Sequence, residues 1–134
     1  MPHFTIEYSA NLAERTNIGE ICELVRRTAL ETGIFPIGGI RVRAIRCDHY
    51  AIADGNPDLV FLAMGLRLGE GRDLAARKAA GEHIFKALSE YLEPVFQSSK
   101  FGLTFEMVEI KSETSWKKNN IHAYLKEKEE AKHG

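Results

Sequence analysis

The residue with the clearest chemical potential in this chain is Pro2. Its small size allows an aminopeptidase to remove Met1, which would leave the chain beginning with a free secondary amine. An ordinary α-amino group titrates at about pH 8, and burial or neighbouring cations lower its pKa. A terminal proline in an apolar, cationic pocket is therefore expected to act as a neutral base at physiological pH. Many chains begin with Met-Pro without using it, so an inert Pro2 stays open on this stretch alone.

Two arginines are of the right type to complete such a site. Arg41 lies in a predicted strand on the face opposite Val42, and Arg72 ends a Gly-x-Gly turn beside the first amide groups of a predicted helix, a corner that favours anions. Either arginine alone reads more readily as a surface residue. Together with an amine base they would hold carboxylates bidentately and stabilise an enolate oxygen. The expected substrate is a small di- or tricarboxylate with an acidic carbon or enol proton.

Other kinds of catalytic site find no support in the residue types and spacing. We find no Ser-His-Asp or Cys-His arrangement, and the glycines at 65, 69 and 71 lack the Lys-Ser/Thr of a phosphate loop. The five histidines are scattered and the two cysteines, Cys22 and Cys47, lack metal-ligand spacing, so we expect no metal and no cofactor. Both cysteines are expected to be reduced core residues of a cytoplasmic protein.

Size and charge narrow the class of protein further. A length of 134 residues predicts a single domain, and a net charge of −1 gives no electrostatic case for nucleic acid or an anionic membrane. No apolar run approaches the roughly 20 residues that cross a bilayer, and no secretory leader is visible, so we expect no membrane partner.

The elements that would position these residues begin with a strand over residues 2–8, which would fix the amine. After a polar connection, Asn17 with Glu20 forms a capping-box pattern for a helix that Gly33 ends. The second strand covers residues 40–47, and a turn cluster follows over 48–58.

The second half repeats this order. A mostly apolar run over 59–68 predicts a central strand, Asp73 caps a second helix, and Pro94 should end or kink that helix near Leu92. Residues 101–110 alternate and predict the fourth strand.

Two consecutive βαβ units, 2–47 and 59–110, therefore predict an α/β sandwich, an α+β arrangement of a four-stranded mixed sheet with two helices on one face. Leu59 takes the place of Pro2 in the second unit, so only the first unit supplies the base. We expect the bare sheet face to be apolar, including part of the 60–68 run, and to be covered by oligomerisation.

The remaining residues divide into an arm and a tail. Residues 111–125 form a polar arm in which Ile121, Tyr124 and Leu125 favour a short helix lying on a neighbouring subunit. Residues 126–134 are a charge run that is expected to fray. The predicted domain is thus 1–125.

Seven short segments, in order and spacing, resemble the 5-carboxymethyl-2-hydroxymuconate isomerase family of the tautomerase superfamily over about residues 2 to 125. They are Pro2-His3-Phe4, Thr32-Gly33-Ile34-Phe35-Pro36, Gly39-Ile40-Arg41-Val42-Arg43, Ala53-Asp54-Gly55, Gly69-Glu70-Gly71-Arg72, Phe105-Glu106 and Asn119-Asn120-Ile121-His122-Ala123.

The resemblance implies a tautomerase-like fold and a cofactor-free homotrimer with the sheets facing inward. It implies that Pro2 shuttles a proton while Arg41, Arg72 and Arg43 bind substrate, converting a 2-hydroxymuconate-type dienol to its conjugated 2-oxo isomer. The implied pathway is homoprotocatechuate (4-hydroxyphenylacetate) degradation.

Two alternatives stay open at this stage. One is a dehalogenase or hydratase of an unsaturated acid on the same scaffold, in which Glu7, Glu70 or Glu106 would activate water. The other is a binding protein without turnover, which would retain Met1.

Overall fold

The computed structural model describes residues 1–133. They form two strand–helix–strand units followed by a C-terminal helix. In chain order the elements are β1 (His3–Ser9), α1 (Ile18–Glu31), β2 (Arg41–Cys47), β3 (Val60–Gly69), α2 (Leu74–Tyr91), α3 (Glu93–Ser98), β4 (Phe101–Ile110) and α4 (Ile121–His133). Short 3₁₀ turns lie at Ala10–Glu14, Ile37–Gly39 and Ser112–Thr114.

The four strands form one mixed sheet in the order β2-β1-β3-β4. Within each unit the two strands are parallel, whereas β1 and β3 are antiparallel at the centre. The register sets His3 opposite Arg41 on one side and opposite Arg67 on the other. The predicted fold class, with parallel pairing inside each unit, is confirmed.

The hydrophobic core lies between the sheet and the helices. Alternate residues of the central strands β1 and β3 are fully buried beneath α1 and α2, and burying each large side chain contributes about 1.5–3 kcal/mol. The residues that share this environment are Phe4, Ile6, Leu62, Leu66 and Leu68 on the strands, and Ile21, Val25, Ile84 and Leu88 on the helices.

Side-chain caps begin both long helices, as predicted. Asn17 Oδ1 accepts a hydrogen bond from the Glu20 amide at 3.1 Å, and Asp73 Oδ1 accepts one from the Ala76 amide at 2.7 Å. The Glu20 carboxylate accepts a hydrogen bond from the Tyr91 hydroxyl at 2.7 Å, so it ties α1 to α2.

The predicted helix ends are also confirmed. Gly33 follows α1 with φ of +73°, a conformation that costs little only for glycine. α2 ends at Tyr91, and α3 starts anew at Glu93 with Pro94 in its first turn, where a missing N–H is tolerated.

Two segments differ from expectation. The connection after β1 is a 3₁₀ turn whose Leu12 is fully buried, so it contributes to the core. Residues 126–133, expected to fray, continue α4 as helix; their Lys, Glu and Ala are strong helix formers. The end of the predicted tail, Gly134, lies outside the described residues.

The bare face of the sheet is less apolar than expected. Val60, Met64 and the three leucines of the 60–68 run point into the core, and the opposite parity presents Phe61, Ala63, Gly65 and Arg67. Exposed apolar side chains on this face are Ile45 and Val108, which are 48% and 53% exposed.

No helix among residues 1–133 is both long enough and apolar enough to span a membrane.

Candidate active site

The start of the chain is packed into the protein. Pro2 is buried, and its carbonyl accepts a hydrogen bond from the Arg41 amide at 3.1 Å. A Cβ added to Gly39 would lie 3.1 Å from Pro2 Cδ and 3.5 Å from Met1 Cα, so glycine there allows the 3₁₀ turn before β2 to pack closely on the chain start. Strand pairing and this close approach together fix the position of Pro2.

The terminal amino group lies among cations. In the unprocessed chain, burial and then the charges of Lys117, Arg72 and Arg41 lower the pKa of the Met1 amine below its usual value. Both arginines singled out from the sequence therefore act on this amine. Lys117 is a third cation that the sequence did not reveal.

Arg41 is half-buried near the start of β2, on the face opposite Val42 as predicted. Its Nη1 donates a hydrogen bond to the Gly39 carbonyl at 2.8 Å, which turns the guanidinium back toward the chain start. The Arg41 amide thus binds the Pro2 carbonyl, and the Arg41 side chain binds the 3₁₀ turn that packs on Pro2.

Arg72 is held by two carbonyl groups and an aromatic ring. Its Nε donates to the Ile34 carbonyl at 2.9 Å and its Nη1 donates to the Gly69 carbonyl at 3.0 Å. The guanidinium carbon lies 5.5 Å from the ring centroid of Phe35, a cation–π distance. This support fixes a planar fork whose Nη2 makes no hydrogen bond within residues 1–133 and can bind a carboxylate.

The helix amides beside Arg72 do not form the anion-favouring corner expected from the sequence. The Asp73 side chain occupies that end of α2 by accepting the Ala76 amide. The positive charge available to a ligand there comes from the guanidinium of Arg72.

Arg41, but not Arg43, is among the charges that lower the pKa of the terminal amine. Arg43 is exposed, its backbone is opposite Thr5, and its Nη1 lies 3.4 Å from His3 Nδ1. Burial, followed by the charges of Arg43, Arg41, the amino terminus and Arg67, lowers the pKa of His3, which favours the neutral imidazole.

Residues just before α4 cover the chain start. Asn119 Nδ2 donates to the Gly38 carbonyl at 3.1 Å and lies 3.2 Å from Met1 Sδ. The His122 ring packs on Gly38 so closely that a Cβ there would lie 2.5 Å from Nδ1. No role for Asn119 or His122 was predicted from the sequence. The one available signal was the Asn-Asn pair before a helix, since Asn119 Oδ1 accepts from the Ile121 amide.

Of the carboxylates considered for water activation, Glu70 is engaged by Ser112, and Glu7 and Glu106 lie on the bare sheet face. Glu70 Oε1 accepts hydrogen bonds from the amide and hydroxyl of Ser112 at 2.8 and 2.6 Å, which lower the pKa of Glu70. Glu7 and Glu106 line a cavity of about 570 Å³ on the bare sheet face. Among residues 1–133, no group of three or more His, Cys, Asp or Glu side chains is arranged to hold a metal ion.

Comparison with known proteins identifies a family that matches most of this chain. The family model described as 5-carboxymethyl-2-hydroxymuconate isomerase matches residues 2–125. A 5-carboxymethyl-2-hydroxymuconate Delta-isomerase of Escherichia coli is 36% identical over 126 residues, covering 94% of this chain and all of the relative.

Solved structures extend the comparison. A crystal structure of a 5-carboxymethyl-2-hydroxymuconate isomerase from Deinococcus radiodurans R1 superimposes with a TM-score of 0.87 at 37% identity, covering 92% of this chain and 93% of that one. A structure described as a W0 fused 4-OT wild type symmetric trimer, 15% identical with a TM-score of 0.60, covers 87% of this chain and 93% of that chain and shares the fold.

Proposed function

Because the chain belongs to the 5-carboxymethyl-2-hydroxymuconate isomerase family, we propose that it isomerises 5-carboxymethyl-2-hydroxymuconate and that Pro2 transfers the proton. The family and the identity to the curated relative make the chain an enzyme of the isomerase class. The assignment of roles to Pro2, Arg41, Arg72 and Arg43 is the proposal.

The proposed reaction needs only proton transfer. With Met1 removed, the neutral secondary amine of Pro2 takes the proton of the 2-hydroxyl group of the dienol, and the electrons shift along the conjugated carbons. The prolinium then returns a proton to carbon, which leaves a conjugated 2-oxo acid. Atoms and electrons balance without any co-reactant.

The arginines act on the charge of the substrate. Arg41 and Arg72 bind carboxylates and stabilise the negative charge that develops on the 2-oxygen, an interaction that strengthens in the transition state. Arg43 binds at the margin, through the face it shares with His3. The support for Arg41 and Arg72 is that the charges of both lower the pKa of the terminal amine, and the support for Arg43 is its contact with His3.

The observation that carries the proposal is the environment of the terminal amine. Burial and the charges of Lys117, Arg72 and Arg41 lower the pKa of that amine while it still belongs to Met1. Pro2 is one residue further into the protein and is buried, so its amine would meet the same influences. Such an environment favours a base that is uncharged near neutrality.

We propose a homotrimer as the working assembly. The fused 4-OT relative in fold is a symmetric trimer, and the bare sheet face carries the exposed apolar residues Ile45 and Val108. Burying this face between copies would remove it from water.

The dehalogenase or hydratase alternative has less support. A hydrolytic mechanism needs a carboxylate that activates water beside the amine, yet Glu70 is engaged by Ser112. The family relationship also points to isomerisation.

The test is a spectrophotometric assay with 5-carboxymethyl-2-hydroxymuconate, using protein whose loss of Met1 is checked by intact mass. A leucine inserted between Met1 and Pro2 blocks processing and buries the proline nitrogen in a peptide bond. We expect the processed protein to convert the substrate and the blocked protein to be nearly inactive. Equal activity of the two proteins would reject Pro2 as the base.

A further inference from the structure

We propose that Lys117 is a specificity-determining residue that binds a third carboxylate, so that the site prefers tricarboxylates to dicarboxylates. The inference rests on the proposed function and adds a residue that the sequence analysis did not single out. Its geometric basis is a strap, residues 112–119, that is fastened at both ends beside the two arginines.

The first fastening is at Ser112. Both its amide and its hydroxyl donate to Glu70 Oε1, at 2.8 and 2.6 Å. Glu70 belongs to the loop that carries Arg72, two residues further on. The beginning of the strap is therefore tied to the same short loop as one of the substrate-binding guanidinium groups.

The second fastening is at Asn119. Its side-chain amide donates to the Gly38 carbonyl at 3.1 Å and lies 3.2 Å from Met1 Sδ. Gly38 and Gly39 form the turn that precedes Arg41 and packs on Pro2. In the processed protein, which lacks Met1, the Gly38 contact still ties the end of the strap to the turn that packs on Pro2 and precedes Arg41.

Lys117 lies on this strap, two residues before the second fastening. After burial, the charge of Lys117 is the largest of the three charges that lower the pKa of the terminal amine in the unprocessed chain, ahead of Arg72 and Arg41. Its side chain is exposed in the free chain and so is available to a ligand. A lysine on a flexible stem acts as a point charge that can follow a substituent carboxylate.

The charge balance favours this role. Two guanidinium groups match the two terminal carboxylates of a muconate skeleton, and a carboxymethyl substituent adds a third negative charge. Lys117 supplies the third positive charge at the same amine, which itself stays neutral. A dicarboxylate would leave Lys117 without a partner and would gain little from it.

The experiment compares two non-reacting probes, propane-1,2,3-tricarboxylate and glutarate, by calorimetric titration of the processed protein. We expect the tricarboxylate to bind more tightly, and Lys117→Met to weaken its binding by roughly 5- to 10-fold, the upper range for a contact made by an exposed charge. Glutarate affinity should change by less than about threefold, as for an unpaired surface charge.

Lys118→Met is the matched control, because Lys118 is the next residue and is equally exposed. It should leave both affinities unchanged. Glu70→Ala releases the first fastening and should reproduce part of the selective loss seen with Lys117→Met, since it lets the strap move.

The outcomes test the role of Lys117 separately from the proposed function. Loss of both probes to the same extent, loss of neither, or no preference of the parent protein for the tricarboxylate would each overturn the role of Lys117. These binding results do not depend on turnover, so a protein that binds selectively but fails to isomerise 5-carboxymethyl-2-hydroxymuconate would count against the proposed function alone.

Discussion

Arg72, which we propose binds a carboxylate, is held in place by contacts within the chain. Two carbonyl groups and the Phe35 ring already fix its guanidinium. Much of the side-chain entropy that binding would otherwise cost is therefore lost on folding, and in the proposed role a carboxylate would meet a fixed guanidinium group. Arg41 is prepared in the same way by the Gly39 carbonyl.

We predict that Arg41→Ala and Arg72→Ala each lower kcat/KM for 5-carboxymethyl-2-hydroxymuconate by about 10²- to 10³-fold, as the loss of a group that stabilises developing charge does. Steady-state kinetics measures the effect. Arg46→Ala is the control, because Arg46 is on the same strand but pairs with Asp48 at the surface. An Arg41→Ala variant as active as Arg46→Ala would contradict the assignment.

We predict a smaller effect for Arg43→Ala, less than about tenfold in kcat/KM, because its contact is with His3 and an exposed charge contributes about 1 kcal/mol at most. The same kinetic assay measures it. A loss as large as that of Arg41→Ala would contradict this prediction and would show that Arg43 contributes as much as Arg41.

The pH dependence of the reaction follows from the lowered pKa of the amine. A base works only when deprotonated, so kcat/KM should rise with pH as the amine loses its proton and level off below about pH 8. Lys117→Met removes a cation that disfavours the charged amine, so the rise should move to higher pH. His3→Gln should keep the rise, which would exclude His3 as its source. An unchanged profile in Lys117→Met would contradict this picture.

At the scale of elements, the segments predicted from local signals are the ones that local physics determines. The helix caps and the helix break depend on neighbouring residues, namely Asn17, Asp73 and Pro94. The parallel pairing within each unit depends on a short helical crossover. Each of these features could be predicted from the sequence because one local interaction determines it.

The strap could not be predicted in this way. Glu70 and Ser112 are 42 residues apart, and Asn119 and Gly38 are 81 apart, so no periodicity reports their contact. The role of Lys117 depends on both contacts together. Buried Leu12 was missed for a related reason, since one apolar residue in a polar connection carries no pattern.

We predict that Gly38→Ala lowers both stability and activity, because the added Cβ would collide with the His122 ring and displace the start of α4 from the site. A cost of about 1–3 kcal/mol is typical of such overpacking. Thermal unfolding and kinetics measure the two effects. Gly19→Ala is the control: its Cβ would meet nothing closer than 3.4 Å and should slightly stabilise α1. A Gly38→Ala protein that behaves like Gly19→Ala would contradict the close packing.

At the scale of the whole molecule, the two faces of the sheet differ in kind. One face is sealed by helices, and the other combines exposed Ile45 and Val108 with the polar Thr5, Glu7 and Glu106. A face that mixes apolar and polar residues is compatible with a subunit interface that retains some water.

We predict that Ile45→Glu and Val108→Glu, each placing a charge on an edge strand of the bare face, dissociate the proposed trimer. Sedimentation velocity should give the mass of three chains for the parent protein and a smaller mass for each variant. Lys86→Glu, on the exposed surface of α2, should leave the mass unchanged. Variants that keep the parent mass would place the interface elsewhere.

The protonation state of the chain start bears most directly on the central claim. The processed protein, labelled with ¹⁵N-proline, allows the Pro2 nitrogen to be titrated by NMR. We predict an apparent pKa below the value of about 8 of an ordinary α-amino group, because burial and nearby cations disfavour the charged form. A pKa at or above that value would mean that Pro2 is a cation under working conditions and would contradict its role as the base.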